Sequence, residues 1–161
     1  MCNAFSISFN FCKITCVCRQ VIEVISLVVL KTLPHQPEHI AGVFNYRGRI
    51  VPVIDLCQLM RGKPSSEYLS TRIVLVNYWG SNNAELQAPY ILGLMTEQVV
   101  ETLHQSESEF VDPNIQIDKA PYLGKMIVDD QGMIQCLRIE YLLSEAQQVN
   151  LLPESHHNTR F

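Results

Sequence analysis

The chain has 161 residues, 47% of them hydrophobic, with 12 Lys and Arg against 16 Asp and Glu and a formal net charge of −4. Only 17% of the residues are charged, against roughly 25% in typical soluble domains, so extensive disorder is excluded and a sizeable core is expected. The acidic balance without a Lys/Arg cluster argues against a nucleic-acid partner, and the apolar run Ile25 to Leu30 is far shorter than the roughly 20 residues of a spanning helix, so no membrane insertion and a cytoplasmic location are expected.

In chain order, the segment Ile7–Val17 is read first as one strand, carrying two of the six cysteines (Cys2, Cys12, Cys16, Cys18, Cys57, Cys136), with Cys18 just beyond its end. In a cytoplasmic chain these are expected to be reduced thiols, small hydrophobes in or near the core. Ile50–Ile54 is a short β-branched run of strand length, and Pro52 within it points to an edge position or a bulge, because proline cannot donate to a ladder. A helical turn is expected at Leu56–Met60, followed by strands at Arg72–Val76, Tyr90–Leu94 and Met133–Leu137. The turns between them are Gly-, Asn- and Asp-rich, as in Arg47-Gly48, Gly80-Ser81-Asn82-Asn83 and Asp129-Asp130-Gln131-Gly132. A short C-terminal helix is expected over Glu140–Gln148, and residues 148–161 form a polar tail.

The chain repeats itself. Gln20-Val21-Ile22-Glu23-Val24-Ile25 recurs 78 residues later as Gln98-Val99-Val100-Glu101-Thr102-Leu103. Pro37-Glu38-His39-Ile40-Ala41-Gly42 resembles Ala120-Pro121-Tyr122-Leu123-Gly124, and Gly48 and Gly132 each lead an apolar strand that ends in a Leu-rich turn, Leu59-Met60 and Leu142-Leu143. Three matching elements in one order imply two related β subdomains, each too small to be robust alone and therefore packed on the other. Their polar turns differ, with Asn45-Tyr46-Arg47-Gly48-Arg49 in one and an Asp pair in the other, and Arg138 falls near the place of Asp55. Residues 1–66 carry +4 and residues 67–161 carry −8, a polarity that can orient partners of opposite sign.

Few residues carry a case for chemistry. Cys12, Cys16 and Cys18 share one face of an extended strand with about 6.6 Å between alternate residues, too far apart for thiolates held at about 2.3 Å from one zinc; a thiol-based metal or redox sensor is the alternative function they leave open. His35 and His39 are separated by Pro37, which breaks the helical spacing of a metal site. There is no Gly-x-Ser-x-Gly elbow and no phosphate-cradling glycine loop, so no catalytic residue, metal site or cofactor is assigned. What remains is a polar set in the basic half: Glu23, Arg47 and Asp55.

The run Pro37-x-x-Ile40-x-Gly42-Val43-x-Asn45-Tyr46-Arg47-Gly48-x-Ile50-Val51-Pro52-Val53-Ile54-Asp55-Leu56, preceded by Val21-Ile22-Glu23-Val24 and followed by Thr71-Arg72-Ile73-Val74-Leu75-Val76, resembles the hallmark of the CheW domain of chemotaxis coupling proteins. The resemblance covers roughly residues 13–145. It implies a mainly β fold of two SH3-like five-stranded β-barrel subdomains, within a CheW-like domain over residues 1–147 divided at 13–66 and 67–147, with an exchanged first strand left open. It implies no catalysis, and instead an adaptor between a CheA-type histidine kinase, held through that kinase's CheW-like regulatory domain, and the cytoplasmic tip of methyl-accepting chemoreceptors in arrays at the inner face of the membrane. Carried over by position, Glu23 and Arg47 form an ion pair beside the receptor-facing groove, with Val21, Gly42, Asn45 and Gly48 in the same partner-binding set. Pro52 and Asp55 belong to the structural signature. Residues 1–12 depart from the usual opening strand. Tyr46 stands where the family often has leucine; with Cys57 and Leu69-Ser70-Thr71-Arg72 it looks more like the surface-sensing, Wsp-type branch.

Overall fold

The computed structural model describes residues 2–9, 12–17, 21–67, 69–79, 89–97, 99–105, 110–111, 120–129, 132–144, 147 and 151–152. The strands, in chain order, are β1 (Cys2–Phe9), β2 (Cys12–Val17), β3 (Val21–Ser26), β4 (Ile40–Tyr46), β5 (Arg49–Asp55), β6 (Arg72–Tyr78), β7 (Tyr90–Thr96), β8 (Val99–Gln105), β9 (Phe110–Val111), β10 (Leu123–Asp129) and β11 (Gly132–Leu137). One helix, α1 (Leu56–Arg61), follows β5, and a 3-10 turn, Ile139–Tyr141, follows β11. The fold is mainly β, as expected. The presumed single strand Ile7–Val17 is instead a hairpin: β1 and β2 pair antiparallel with Phe9 opposite Cys12.

The strands form two sheets, ordered β3-β6-β7-β5-β4 and β8-β1-β2-β11-β10-β9. Under the 78-residue repeat, β3 corresponds to β8, β4 to β10 and β5 to β11. The remaining places are then filled in the same spatial order by β6-β7 in one sheet and β1-β2 in the other. Each sheet has one parallel pair at the same position, β5 with β7 and β11 with β2. The hydrogen bonds at the ends of these elements also repeat: Asp55 N–H donates to His39 O at 2.8 Å where Arg138 N–H donates to Tyr122 O at 2.7 Å, and Ile40 N–H to Pro37 O where Leu123 N–H reaches Ala120 O. Arg138 thus occupies the place of Asp55.

The division along the chain is not at 66/67. Strands β6 and β7 belong with β3, β4 and β5, whereas the first hairpin crosses over to the second sheet. Each copy therefore lends its leading hairpin to the other copy's three following strands. The second sheet also carries a sixth strand, the two-residue β9, beyond the five expected.

Alternation along β5, β6 and β7 fills two cores at once. Val51, Val53, Ile73, Leu75 and Met95 point into the first barrel. From the opposite face of the same strands, Ile54, Val74, Val76, Tyr78, Leu92 and Leu94 pack with Tyr122, Leu137, Ile139, Leu142 and Leu143 of the second half. Tyr78 adds a bond across this boundary, its hydroxyl donating to Glu140 O at 3.3 Å. Gly93 lies on the inward face of β7, where a Cβ would meet Ile73 and Val53 methyls at 3.0 Å, so the barrel interior narrows there.

The barrel closes between β3 and β4, which do not neighbour one another in the sheet order. Beyond β3 the chain reaches Lys31, whose N–H and C=O both bond Val43 of β4 at 2.9 Å. The close approach requires Gly42: its φ is +146°, and a Cβ would lie 2.6 Å from Lys31 O. The same bridge accounts for Pro52. Val43 is opposite Pro52 in the β4·β5 ladder but spends both backbone groups on Lys31, so Pro52 faces β7, where the parallel ladder begins only at Val53. Pro52 is neither on an edge strand nor at the bulge, which lies between Ile40 and Gly42; it stands where no donor is demanded.

The C-terminal helix starts later than expected. Glu140 lies in the 3-10 turn, and Leu142 and Leu143 are bends in the shared core. Ser144 and Gln147 then form a reciprocal capping box: Ser144 N–H donates to Gln147 Oε1 at 2.9 Å, and Gln147 N–H to Ser144 Oγ at 3.3 Å. Residues 147 and 151 are helical. The tail beyond 152 lies outside the described residues.

Two outcomes test this architecture. Gly42→Ala should lower the unfolding free energy by about 2–4 kcal/mol in urea titrations, whereas Gly48→Ala, also at positive φ (+84°) but with open space around it, should cost about 1 kcal/mol. Stability should also fall at high pH. Burial pushes Tyr78 from 10.0 up to about 12, aided by the Glu140 charge, and pushes Cys136 from 9.0 up to about 11 against the pull of Lys125. The folded state holds these protons more tightly than the unfolded chain, so their contribution is complete below about pH 9 and is lost as pH rises through 11 and 12. Urea midpoints measured from pH 8 upward should decline over that window, and Tyr78→Phe should remove the part between 10 and 12.

Candidate functional site

The β4–β5 hairpin turns through two residues, with Tyr46 opposite Arg49. Arg47 has φ +50° and Gly48 φ +84°, the pair of positive values that a type I′ hairpin turn requires. Asn45 Oδ1 accepts from Gly48 N–H at 2.8 Å and locks the turn. This geometry swings the hairpin tip over the start of β3. Glu23 then meets two residues of the tip: Tyr46 Oη donates a hydrogen bond to Glu23 Oε2, and Arg47 Nη2 stands 3.6 Å from the same oxygen. The Arg47 guanidinium lies 5.1 Å from the Tyr46 ring centroid, a cation–π distance. Phe44 packs edge-on against Tyr46 from inside the barrel, centroids 6.4 Å apart.

The β3–β4 seam is thus closed at one end by backbone, Lys31 to Val43, and at the other by side chains, Glu23 to Tyr46 and Arg47. The side-chain closure is exposed, 76% for Arg47 and 40% for Glu23, and exposed ion pairs contribute only about 0.2–1 kcal/mol. The Glu23 carboxylate pushes the Tyr46 phenol up from its ordinary value, first through the hydrogen bond and then with help from burial, while Arg47 pulls the other way. Ile22, which precedes Glu23, and Ile50, which follows Arg49, are exposed, Ile50 to 57%. Exposed charge together with exposed apolar side chains on and near a two-residue hairpin turn can receive a protein partner.

Of the residues singled out from sequence, the structure brings together Glu23, Asn45, Arg47 and Gly48. Val21 is two positions away on β3, half-buried against the shared core. Gly42 is buried at the other end of the seam and serves barrel closure rather than lining an outer groove. Tyr46, noted in the sequence only as a departure from leucine, proves to be the link between Glu23 and the hairpin; nothing in its spacing announces a partner 23 residues earlier.

Pro52 and Asp55 lie away from this surface. Asp55 is buried and caps α1: Oδ1 accepts from Cys57 N–H at 3.0 Å, Gln58 N–H at 3.2 Å and Ser65 Oγ at 2.6 Å, while Oδ2 accepts from Ser65 N–H at 2.8 Å. Gly62 ends the helix at φ +69°. One carboxylate thereby ties the end of β5, the helix and the following loop together. Of the cysteine cluster, Cys12 and Cys16 are four residues apart along the extended β2, roughly 13 Å, and Cys18 lies outside the described residues. Among the described residues no group of three His, Cys, Asp or Glu side chains is placed to hold a metal, and no helix is long and apolar enough to cross a membrane.

The CheW-like domain family matches residues 17–147, which hold every strand from β3 to β11 and the seam. The chain belongs to that family. A probable chemotaxis protein CheW from Rhizobium etli is 25% identical over 118 residues, which are 71% of this chain and 70% of that protein. The crystal structure of the scaffolding protein TtCheW from Thermoanaerobacter tengcongensis superposes with a TM-score of 0.74 at 25% identity, covering 89% of this chain and 88% of that one. The resemblance read from the signature run is therefore correct in family and in fold, two SH3-like β subdomains. CheW-family proteins are scaffolds rather than enzymes.

Asp55→Ala should cost about 2–4 kcal/mol in urea titrations, because it leaves buried donors at the α1 start and Ser65 without their acceptor. Ser65→Ala should cost less, since Asp55 keeps its helix-capping bonds.

Proposed function

We propose that this chain is a non-catalytic scaffold that couples a CheA-type histidine kinase to the cytoplasmic tips of methyl-accepting chemoreceptors. The observation that carries the reading is the family match across residues 17–147, joined to the exposed Glu23–Arg47 pair on a rigid hairpin. The receptor tip is taken as a helical element that lays an apolar face beside the hairpin, with buried anchors supplying most of the affinity. Glu23, Asn45, Arg47 and Gly48 form the receptor-facing set, Val21 supports it from the core side, and Gly42 keeps the barrel closed behind it. A second surface meets the CheW-like regulatory domain of the kinase. The chain then works in the cytoplasm, gathered into receptor clusters at the inner face of the membrane by its partners, with no cofactor. Tyr46, Cys57 and the Leu69-Ser70-Thr71-Arg72 lead-in favour a surface-sensing, Wsp-type pathway.

The charge reversal Arg47→Glu tests the receptor surface. Titrated against a chemoreceptor cytoplasmic-tip fragment from the same genome, it should weaken binding about tenfold, because it replaces an attraction by a repulsion. Its thermal melting should stay close to that of the parent chain, since the pair it breaks is exposed. Unchanged affinity would remove the hairpin from the coupling surface.

A further inference from the structure

Tyr46 changes how the charges at the hairpin are shared. Glu23 takes a hydrogen bond from the Tyr46 hydroxyl on Oε2, and Arg47 reaches that same oxygen with one nitrogen at 3.6 Å. A carboxylate engaged by arginine in the strong, forked manner would sit at about 2.7–2.9 Å from two nitrogens. Arg47 is therefore only loosely neutralised. It stands over the Tyr46 ring, is three-quarters exposed, and shares the segment 45–50 with Arg49 and no acid. Its φ of +50° fixes the direction in which it leaves the backbone.

We propose that Tyr46 is a specificity-determining, positioning residue of this surface: its hydroxyl holds the Glu23 carboxylate, so that Arg47 remains available to an acidic side chain of the receptor helix. The inference rests on the receptor-coupling reading and deepens it by naming the partner's chemistry, a carboxylate next to an apolar anchor. A leucine at this position would leave Glu23 without the phenol, and the carboxylate would turn to Arg47, closing the pair and cancelling its charge. The hairpin would then no longer offer the Arg47 charge. With tyrosine it presents a cation.

Five proteins decide the matter: the parent, Tyr46→Phe, Glu23→Gln, Tyr46→Phe combined with Glu23→Gln, and Arg47→Glu, each tested for binding of the same receptor-tip fragment at low and at physiological ionic strength. Phenylalanine keeps the ring against Phe44 and so should keep the fold, which melting curves check. Tyr46→Phe should lose about two- to fivefold in affinity and show a shallower salt dependence. Adding Glu23→Gln should restore both, because a neutral amide does not compete for Arg47. In the free parent protein the Tyr46 phenol, followed by ultraviolet absorbance as a difference against Tyr46→Phe, should ionise above its ordinary value and return towards it in Glu23→Gln. If Tyr46→Phe binds and responds to salt as the parent does while Arg47→Glu is weakened, the role given to Tyr46 is wrong and the coupling surface stands. If Arg47→Glu binds normally, the surface itself is misplaced and the inference falls with it.

Discussion

Strands β5, β6 and β7 are asked to be apolar on both faces, and most of the structure depends on that demand. One row of their side chains, Val51, Val53, Ile73, Leu75 and Met95, fills the first barrel; the other row, Ile54, Val74, Val76, Leu92 and Leu94, builds the boundary with the second half. Strands of this kind cannot alternate apolar with polar residues as a half-exposed antiparallel sheet does. Their run of buried positions is where the expected surface charge of so small a chain is missing. Low charge content is thus a consequence of sharing one set of strands between two cores.

The exposed site is tied to the same geometry. A five-stranded sheet that curls into a barrel must bring its first and last strands together, and here β3 and β4 meet without a regular ladder. Backbone closure at Lys31 and Val43 is made possible by Gly42. The other end is left to Glu23, Tyr46 and Arg47, on the outside, where their bonds add little to stability. Side chains relieved of structural duty are free to answer to a partner, and the type I′ turn holds them in place without needing a partner to do so.

Much of this was legible in the residues. The β-branched runs marked β5, β6, β7 and β11, the 78-residue offset marked β3 and β8 as equivalents, and the signature run identified the family and placed Glu23 beside Arg47. Local patterns announce elements, because alternation and turn chemistry are local. Pairing between distant segments leaves a weaker trace. The resemblance leaves an exchanged first strand open, but the crossing of the whole β1-β2 hairpin into the second sheet is not written in local pattern, nor is the role of Pro52, which depends on Lys31 taking up Val43. The hairpin hidden in Ile7–Val17 lacked a glycine or proline to mark its turn. The helix start is displaced for a different reason: Leu142 and Leu143 have helical company in sequence but are spent on the shared core, and the start signal is Ser144 three residues before Gln147.

The exchange of leading hairpins has a consequence for how the molecule is assembled. During synthesis β1 and β2 emerge first, yet β8 and β11, their partners in the second sheet, follow about a hundred residues later. The first barrel has all five of its strands once β7 is made; the opening hairpin must wait, with its edges unpaired, for β8 and β11. Contacts of such long sequence separation close slowly, and an unpaired hairpin is a template for the same hairpin on a neighbouring chain. Order of synthesis therefore sets a kinetic hazard at the N-terminal end that the finished fold conceals.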